Sequence, residues 1–103
     1  MITDAQALIL EVNDAFTRIT GYPREEALGR NARLLRSDRH SPDFFRGLWQ
    51  SLAQRGRWSG EVWGRRRDGQ LFAKQQTISA LRGEDGTVLC YVSLFTDITA
   101  TKH

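Results

Sequence analysis

RWSGEVWGRRRDGQLFAKQQTISALRGEDGTVLCYVSLFTD, Arg57 to Asp97, holds most of the fold's signature. Trp58, Val62, Trp63, Phe72, Thr77, Ile78, Val88, Tyr91, Val92 and Phe95 are spread through it over three extended runs. Aromatic and β-branched side chains of this kind fit a pleated, half-buried surface. Two glycine turns separate the runs. Arg67-Asp68-Gly69-Gln70 reads as a tight Asp-Gly hairpin and Gly83-Glu84-Asp85-Gly86 as a slightly longer turn, each needing a positive φ that glycine adopts without strain. The stretch predicts a three-stranded antiparallel meander.

Upstream of it the period changes. Phe44, Phe45, Leu48, Trp49 and Leu52 form an i, i+3, i+4 stripe between strong start signals, Ser41-Pro42-Asp43, and a stop at Gly56. This predicts the longest helix, with the stripe facing the core and Phe45 and Trp49 packed on the sheet. Leu34 and Leu35 anchor a loop or single helical turn between Arg30 and His40. Two very short helices precede it. One is capped by Asn13, carries Ala15, Phe16 and Ile19, and stops at Gly21; the other opens at Pro23 with Glu25 and Glu26 and stops at Gly29. The first residues read as a hairpin, Ile2-Thr3-Asp4 and Ala7 to Asn13 around a turn at Asp4-Ala5-Gln6. Strand, strand, helices and meander together predict an α+β domain whose helices cover one face of an antiparallel sheet.

Composition agrees with one such domain. The chain has 103 residues, 40% hydrophobic and 26% charged, enough for a single core. No apolar run approaches the ~18 residues of a membrane span, and Met1-Ile2-Thr3-Asp4 does not read as a secretory leader. One cysteine, Cys90, allows no internal disulfide and points to the cytoplasm. His40 and His103 are too far apart, and too short of cysteine company, for a metal set. Net charge is +3, and Arg30, Arg33, Arg36 and Arg39 recur every third residue, but Glu25, Glu26, Asp38 and Asp43 are interleaved with them. That mixture reads as a solvated surface and not as a nucleic-acid groove. No nucleophile motif, phosphate-cradling loop or placed carboxylate pair is present among Asp38, Asp43, Glu61 and Asp68, so the chain is not read as an enzyme.

Several stretches carry a resemblance in their joint order and spacing. They are Glu11-Val12-Asn13-Asp14-Ala15-Phe16 with Ile19-Thr20-Gly21-Tyr22, then Glu25-Glu26-Ala27-Leu28-Gly29-Arg30-Asn31, Arg66-Arg67-Asp68-Gly69 and Asp97-Ile98-Thr99. Over nearly its whole length the chain resembles a PAS domain, the small sensory module of bacterial signalling proteins. Arg39-His40-Ser41-Pro42-Asp43-Phe44-Phe45, Leu48-Trp49 and Gly56-Arg57-Trp58-Ser59-Gly60-Glu61-Val62-Trp63 are similar to the subgroup found upstream of diguanylate cyclase and cyclic-di-GMP phosphodiesterase domains. The resemblance implies a five-stranded antiparallel sheet of order 2-1-5-4-3 cupping a pocket under the helices, with residues 1–99 as the domain and 100–103 as the start of a linker. It further implies a homodimer without direct membrane contact, a possible small-molecule ligand, and a C-terminal output domain in the same chain: diguanylate cyclase, phosphodiesterase or histidine kinase. A ligandless module that only mediates protein–protein contact is an alternative.

By parity with the family's light sensors, Val62, Gly64, Lys74, Gln76, Ile78, Tyr91, Ser93 and Phe95 are expected to face the pocket. Lys74 is expected to snorkel to solvent, the other possibility being a buried ammonium partnered by an anionic ligand. Asp97 and Thr99 are expected to relay the signal at the end of the last strand, Asp97 by accepting hydrogen bonds from turn backbone and Thr99 by capping a helix that continues past His103. A flavin cofactor is not expected. The light sensors carry Asn-Cys-Arg-Phe-Leu-Gln, whose cysteine forms the photoadduct, where this chain has Asn31-Ala32-Arg33-Leu34-Leu35-Arg36. Their strand asparagines fall at Gly64 and Lys74, and their flavin-contacting glutamine at Phe95. Heme is the alternative cofactor, with His40 as axial ligand, although the arginine that heme sensors place on the next strand falls at Gly60.

Overall fold

The computed structural model describes residues 1–102; His103, and with it the end of the expected linker, lies outside them. The three runs form β3 (Arg57–Arg65), β4 (Leu71–Arg82) and β5 (Val88–Asp97), paired antiparallel in sequence order. Both turns are built as expected. Gly69 takes φ 92° while Asp68 Oδ1 accepts from Gln70 N–H at 2.9 Å, and Gly86 takes φ 84° while Asp85 Oδ1 accepts from Thr87 N–H at 3.0 Å. Such Asx turns satisfy the backbone locally and fix the register of the strands they join.

β1 (Ile2–Asp4) pairs with β5 and β2 (Ile9–Glu11) pairs with β1, giving one sheet of order β2-β1-β5-β4-β3. The turn between them is held by Asp4 Oδ1, which accepts from Gln6 and Leu8 N–H at 2.9 and 3.0 Å. Helix α1 (Asp14–Thr20) starts where Asn13 Oδ1 accepts from Phe16 N–H at 2.9 Å, and it ends at Gly21 with φ 82°. The one-turn helix α2 (Arg24–Ala27) comes next, with Pro23 at its cap instead of inside its first turn. A 3-10 turn, Ala32–Leu35, leads to α3 (Pro42–Arg55). The Ser41 side chain, expected to cap α3, makes no capping bond; the start rests on the fixed φ of Pro42 at the first position. No helix is long and apolar enough to cross a membrane among the described residues.

One core cluster consists of Ile9, Val12, Phe16, Ala27 and Leu35, so it lies between the short helices and the β1–β2 end of the sheet. Helix α3 packs separately over β3, burying Leu48 and Leu52. Its stripe is shallower than the sequence predicts. Phe44 and Phe45 are half-buried and Trp49 is 38% exposed, with Phe45 and Trp49 lining a cavity between α3 and the sheet. That cavity is the candidate site.

Candidate functional site

Alternation along a strand sends every second side chain to the same face. Val62, Lys74, Gln76, Ile78, Tyr91 and Ser93 are thereby brought to one cavity of about 270 Å³. Its roof is the 3-10 turn, through Asn31, Ala32, Arg33, Leu35 and Arg36, and the Phe45, Leu48 and Trp49 side of α3. The β1 side contributes Thr3 and the turn residue Gln6.

Gly64 and Phe95, also expected there, do not line it. Gly64 is where the roof meets the floor. A Cβ at this position would stand 2.9 Å from the Leu35 carbonyl oxygen and 3.0 Å from the Phe72 ring, so the absence of a side chain lets the 3-10 turn close on β3. An isolated bridge between Arg36 and Gly64 marks the contact. Phe95 packs edge-on against Phe16, ring centroids 6.2 Å apart, and so belongs to the apolar core beside the cavity.

Lys74 overturns the expected snorkelling. It is 4% exposed, on a strand flanked by β3 and β5, opposite Val62 on one side and Asp97 on the other. From the middle of a sheet a four-carbon stem cannot reach water along the sheet plane, so the ammonium ends over the inner face. Nζ stands 4.6 Å from the Phe95 ring centroid and 5.7 Å from that of Phe72. Those aromatic faces give it partial compensation. Among the described residues no Asp or Glu forms an ion pair with it. Burial pushes its pKa down to about 8. Next on the same face, Gln76 Nε2 donates to Ser93 Oγ at 2.5 Å, both residues being buried.

Sequence reasoning missed the roof's contribution. Arg33 and Arg36, which charge interleaving assigns to a solvated surface, both line the cavity mouth. Arg33 lies within the 3-10 turn and Arg36, at its C-terminal cap, is already extended, so no periodicity along the chain pairs them. The Arg36 guanidinium lies 4.0 Å over the Phe45 ring, and burial, followed by the charge of Arg33, lowers its pKa. Among the described residues, three cationic side chains and no carboxylate line the cavity.

His40 does not face it. Its Nε2 accepts from the Trp63 backbone N–H at 2.8 Å, its ring stacks on Phe44 at 3.9 Å, and burial followed by the charge of Arg39 lowers its pKa. A neutral imidazole whose Nε2 is committed to the β3 backbone, outside the cavity, is not placed to bind a heme iron there.

At the far end of β5, Asp97 and Thr99 meet Arg66, to which the sequence reading assigned no place in the site. Asp97 Oδ1 accepts from Thr99 N–H at 2.9 Å and from its hydroxyl at 2.6 Å, and Oδ2 accepts from Arg66 Nη2 at 2.9 Å. Arg66 Nη1 also donates to the Ile19 carbonyl oxygen in the last turn of α1. Burial raises the Asp97 pKa, but the bonds from Thr99 and Arg66 outweigh it and leave it lowered. The helix past His103 that Thr99 is expected to cap lies outside the described residues. Asp97 turns the chain, and Thr99 Oγ1 accepts from Ala73 N–H at 3.0 Å, extending the β4 ladder by one bond. Residues Thr99–Lys102 form a 3-10 turn, tied to β3 through Lys102 Nζ and Glu61 Oε2 at 2.6 Å.

A sequence profile of the PAS domain matches residues 1–100. The chain belongs to the PAS domain family. It is 35% identical over 100 residues to the nitrogen fixation regulatory protein of Klebsiella oxytoca, an alignment covering 97% of this chain and 20% of that protein. With the blue-light-activated histidine kinase of Rhizobium johnstonii it shares 32% identity over 95 residues, 92% of this chain and 28% of the kinase. The chain thus spans a fifth to about a quarter of these two regulators. Among solved structures, the PAS domain of a Colwellia psychrerythraea protein superposes with a TM-score of 0.89 at 22% identity, covering 96% of this chain and 84% of the other, and supports the fold alone. A light-oxygen-voltage domain studied with a flavin analogue gives a TM-score of 0.83 at 28% identity, covering 98% and 77%. The relatives are sensory modules of signalling proteins, regulatory in kind.

Proposed function

We propose that this chain is the cytoplasmic input module of a larger bacterial signalling protein, taking a small ligand into the cavity under α3 and passing its state through β5 to a C-terminal output domain. The observation that carries this reading is the trio Lys74, Gln76 and Ser93. Polar side chains buried at 4, 6 and 4% exposure on the inner face of a sheet are costly in an apolar core, and here they border a cavity. Diguanylate cyclase, cyclic-di-GMP phosphodiesterase and histidine kinase are the candidate outputs; the Rhizobium relative, named as a kinase, favours the last. Homodimerisation is part of the same reading.

The route outward is the Arg66–Asp97–Thr99 set. It ties the end of β5 to α1 and to the β4 backbone, so a shift of the sheet on ligand binding reaches the segment after Asp97 through hydrogen bonds that can be removed singly. In the full-length protein, Asp97→Ala is expected to leave the fold and cavity occupancy intact while changing basal output or its response. Output and response both equal to the parent, in a folded protein, would reduce the junction to a strand end.

The likeness to light-oxygen-voltage domains raises flavin as a cofactor. The residues do not fit a flavin held as those sensors hold it. Ala32 has no thiol, Gly64 has no side chain and is covered by Leu35, and Phe95 brings a hydrocarbon ring where a glutamine amide would be needed. No flavin chemistry is assigned.

A further inference from the structure

Resting on the reading of the cavity as a ligand site, we propose that its occupant is a small carboxylate with an apolar body, the carboxylate seated on Lys74. The ammonium is 4% exposed, borders the cavity, and has no anionic partner among the side chains described. An ion buried this way is stabilised only when a counter-charge with hydrogen-bond acceptors completes it. A carboxylate supplies both, and it matches one buried positive charge with one negative charge. A phosphate dianion brings a second charge, for which the cavity offers only the exposed guanidinium groups of Arg33 and Arg36.

Charge along the entry favours the same class. Arg33 and Arg36, both exposed, stand at the mouth and no Asp or Glu among the described residues lines the cavity, so an anion is attracted inward and a cation repelled. Past the polar groups the walls are Val62, Ile78, Leu35 and Leu48, which accept hydrocarbon. The volume of about 270 Å³ lies near the lower end of the range for small-molecule sites and suits a small occupant. The occupant is therefore a simple acid, such as an aromatic or short-chain carboxylic acid.

Two matched pairs of probes test this on the 103-residue chain: benzoate against benzamide, and hexanoate against hexanol. Binding is read by amide chemical-shift changes at Gln76 and Ser93. Each acid is expected to bind at least about 10-fold more tightly than its neutral partner, and Lys74→Met to abolish that preference while still admitting the neutral compound. Lys74→Arg, which keeps the charge, should retain part of it. If acid and neutral partner bind alike, or the preference survives in Lys74→Met, the carboxylate assignment is overturned while the cavity remains a ligand site. Tighter binding of phenyl phosphate than of benzoate would overturn it in favour of a phosphate. Should none of the probes perturb Gln76 or Ser93 at millimolar concentration, both the assignment and the cavity reading fall. The comparison of acid with amide needs no variant, so a poorly folding Lys74→Met would leave the test decisive.

Discussion

Lys74 spends folding free energy to keep an ammonium on the inner face of the sheet. Burial lowers its pKa to about 8 from 10.5, so between those two values the unfolded chain holds a proton that the folded chain has released. Stability therefore rises with pH across that window, and the charged lysine is unfavourable below it. At pH 7 the depression corresponds to about 3 kcal/mol at 1.36 kcal/mol per pKa unit. Lys74→Met is expected to raise the melting temperature at pH 7 and to gain progressively less at pH 9 and pH 10; equal effects at all three values would contradict the burial of the charge. Gly64 is a second residue whose role is set by its surroundings. Gly64→Ala places a methyl group 2.9 Å from the Leu35 carbonyl and should cost about 1–3 kcal/mol by overpacking. Gly47→Ala, in the interior of α3 with nothing within 4 Å, should stabilise by about 0.5–1 kcal/mol. Urea unfolding of the two variants checks both signs.

Among the elements, α3 divides its apolar stripe between two tasks. Leu48 and Leu52 are buried over β3, whereas Trp49 meets Tyr91 edge-on, centroids 5.3 Å apart, at the rim of the cavity. From the stripe alone Phe45→Ala and Trp49→Ala would each be expected to cost ~3–5 kcal/mol. The structure redistributes that cost. Leu52→Ala should lose ~2–5 kcal/mol, and Trp49→Ala about 1 kcal/mol with a larger effect on ligand entry than on the melting curve. The helix was legible because its period, Pro42 and Gly56 are local signals. Which of its apolar side chains are buried and which line the cavity was not, since that depends on the distant strands and turn packed around it.

The whole molecule has the architecture of a PAS domain. Ala32, which the resemblance to light sensors sets where they carry the adduct-forming cysteine, lines the cavity roof and has no thiol. Illumination of the purified protein, with flavin added, is expected to produce no reversible bleaching of the flavin blue band; recovery of such a cycle in the dark would show that adduct chemistry had found another route. Cys90, half-buried and on the strand segment paired with Asp4 and Leu81, is the other cysteine position to watch in that measurement, and it does not line the cavity.

Chemistry local to the chain was enough for the two Asp-glycine turns, the caps at Asn13 and Gly21 and the long helix, whereas the parity that puts side chains on the cavity floor came from the resemblance to the family's light sensors. Each of the local features depends on neighbours within a few residues. Which of those groups touch one another was settled by the packing of distant segments. Lys74 is buried only because β3 and β5 flank its strand, His40 is turned outward only because Trp63 N–H lies 2.8 Å from its ring nitrogen, and Arg66 joins Asp97 only because the β3–β4 turn folds back over α1. The hydrogen bonds in these cases join residues 23 to 47 positions apart, and no pattern along the chain encodes that distance.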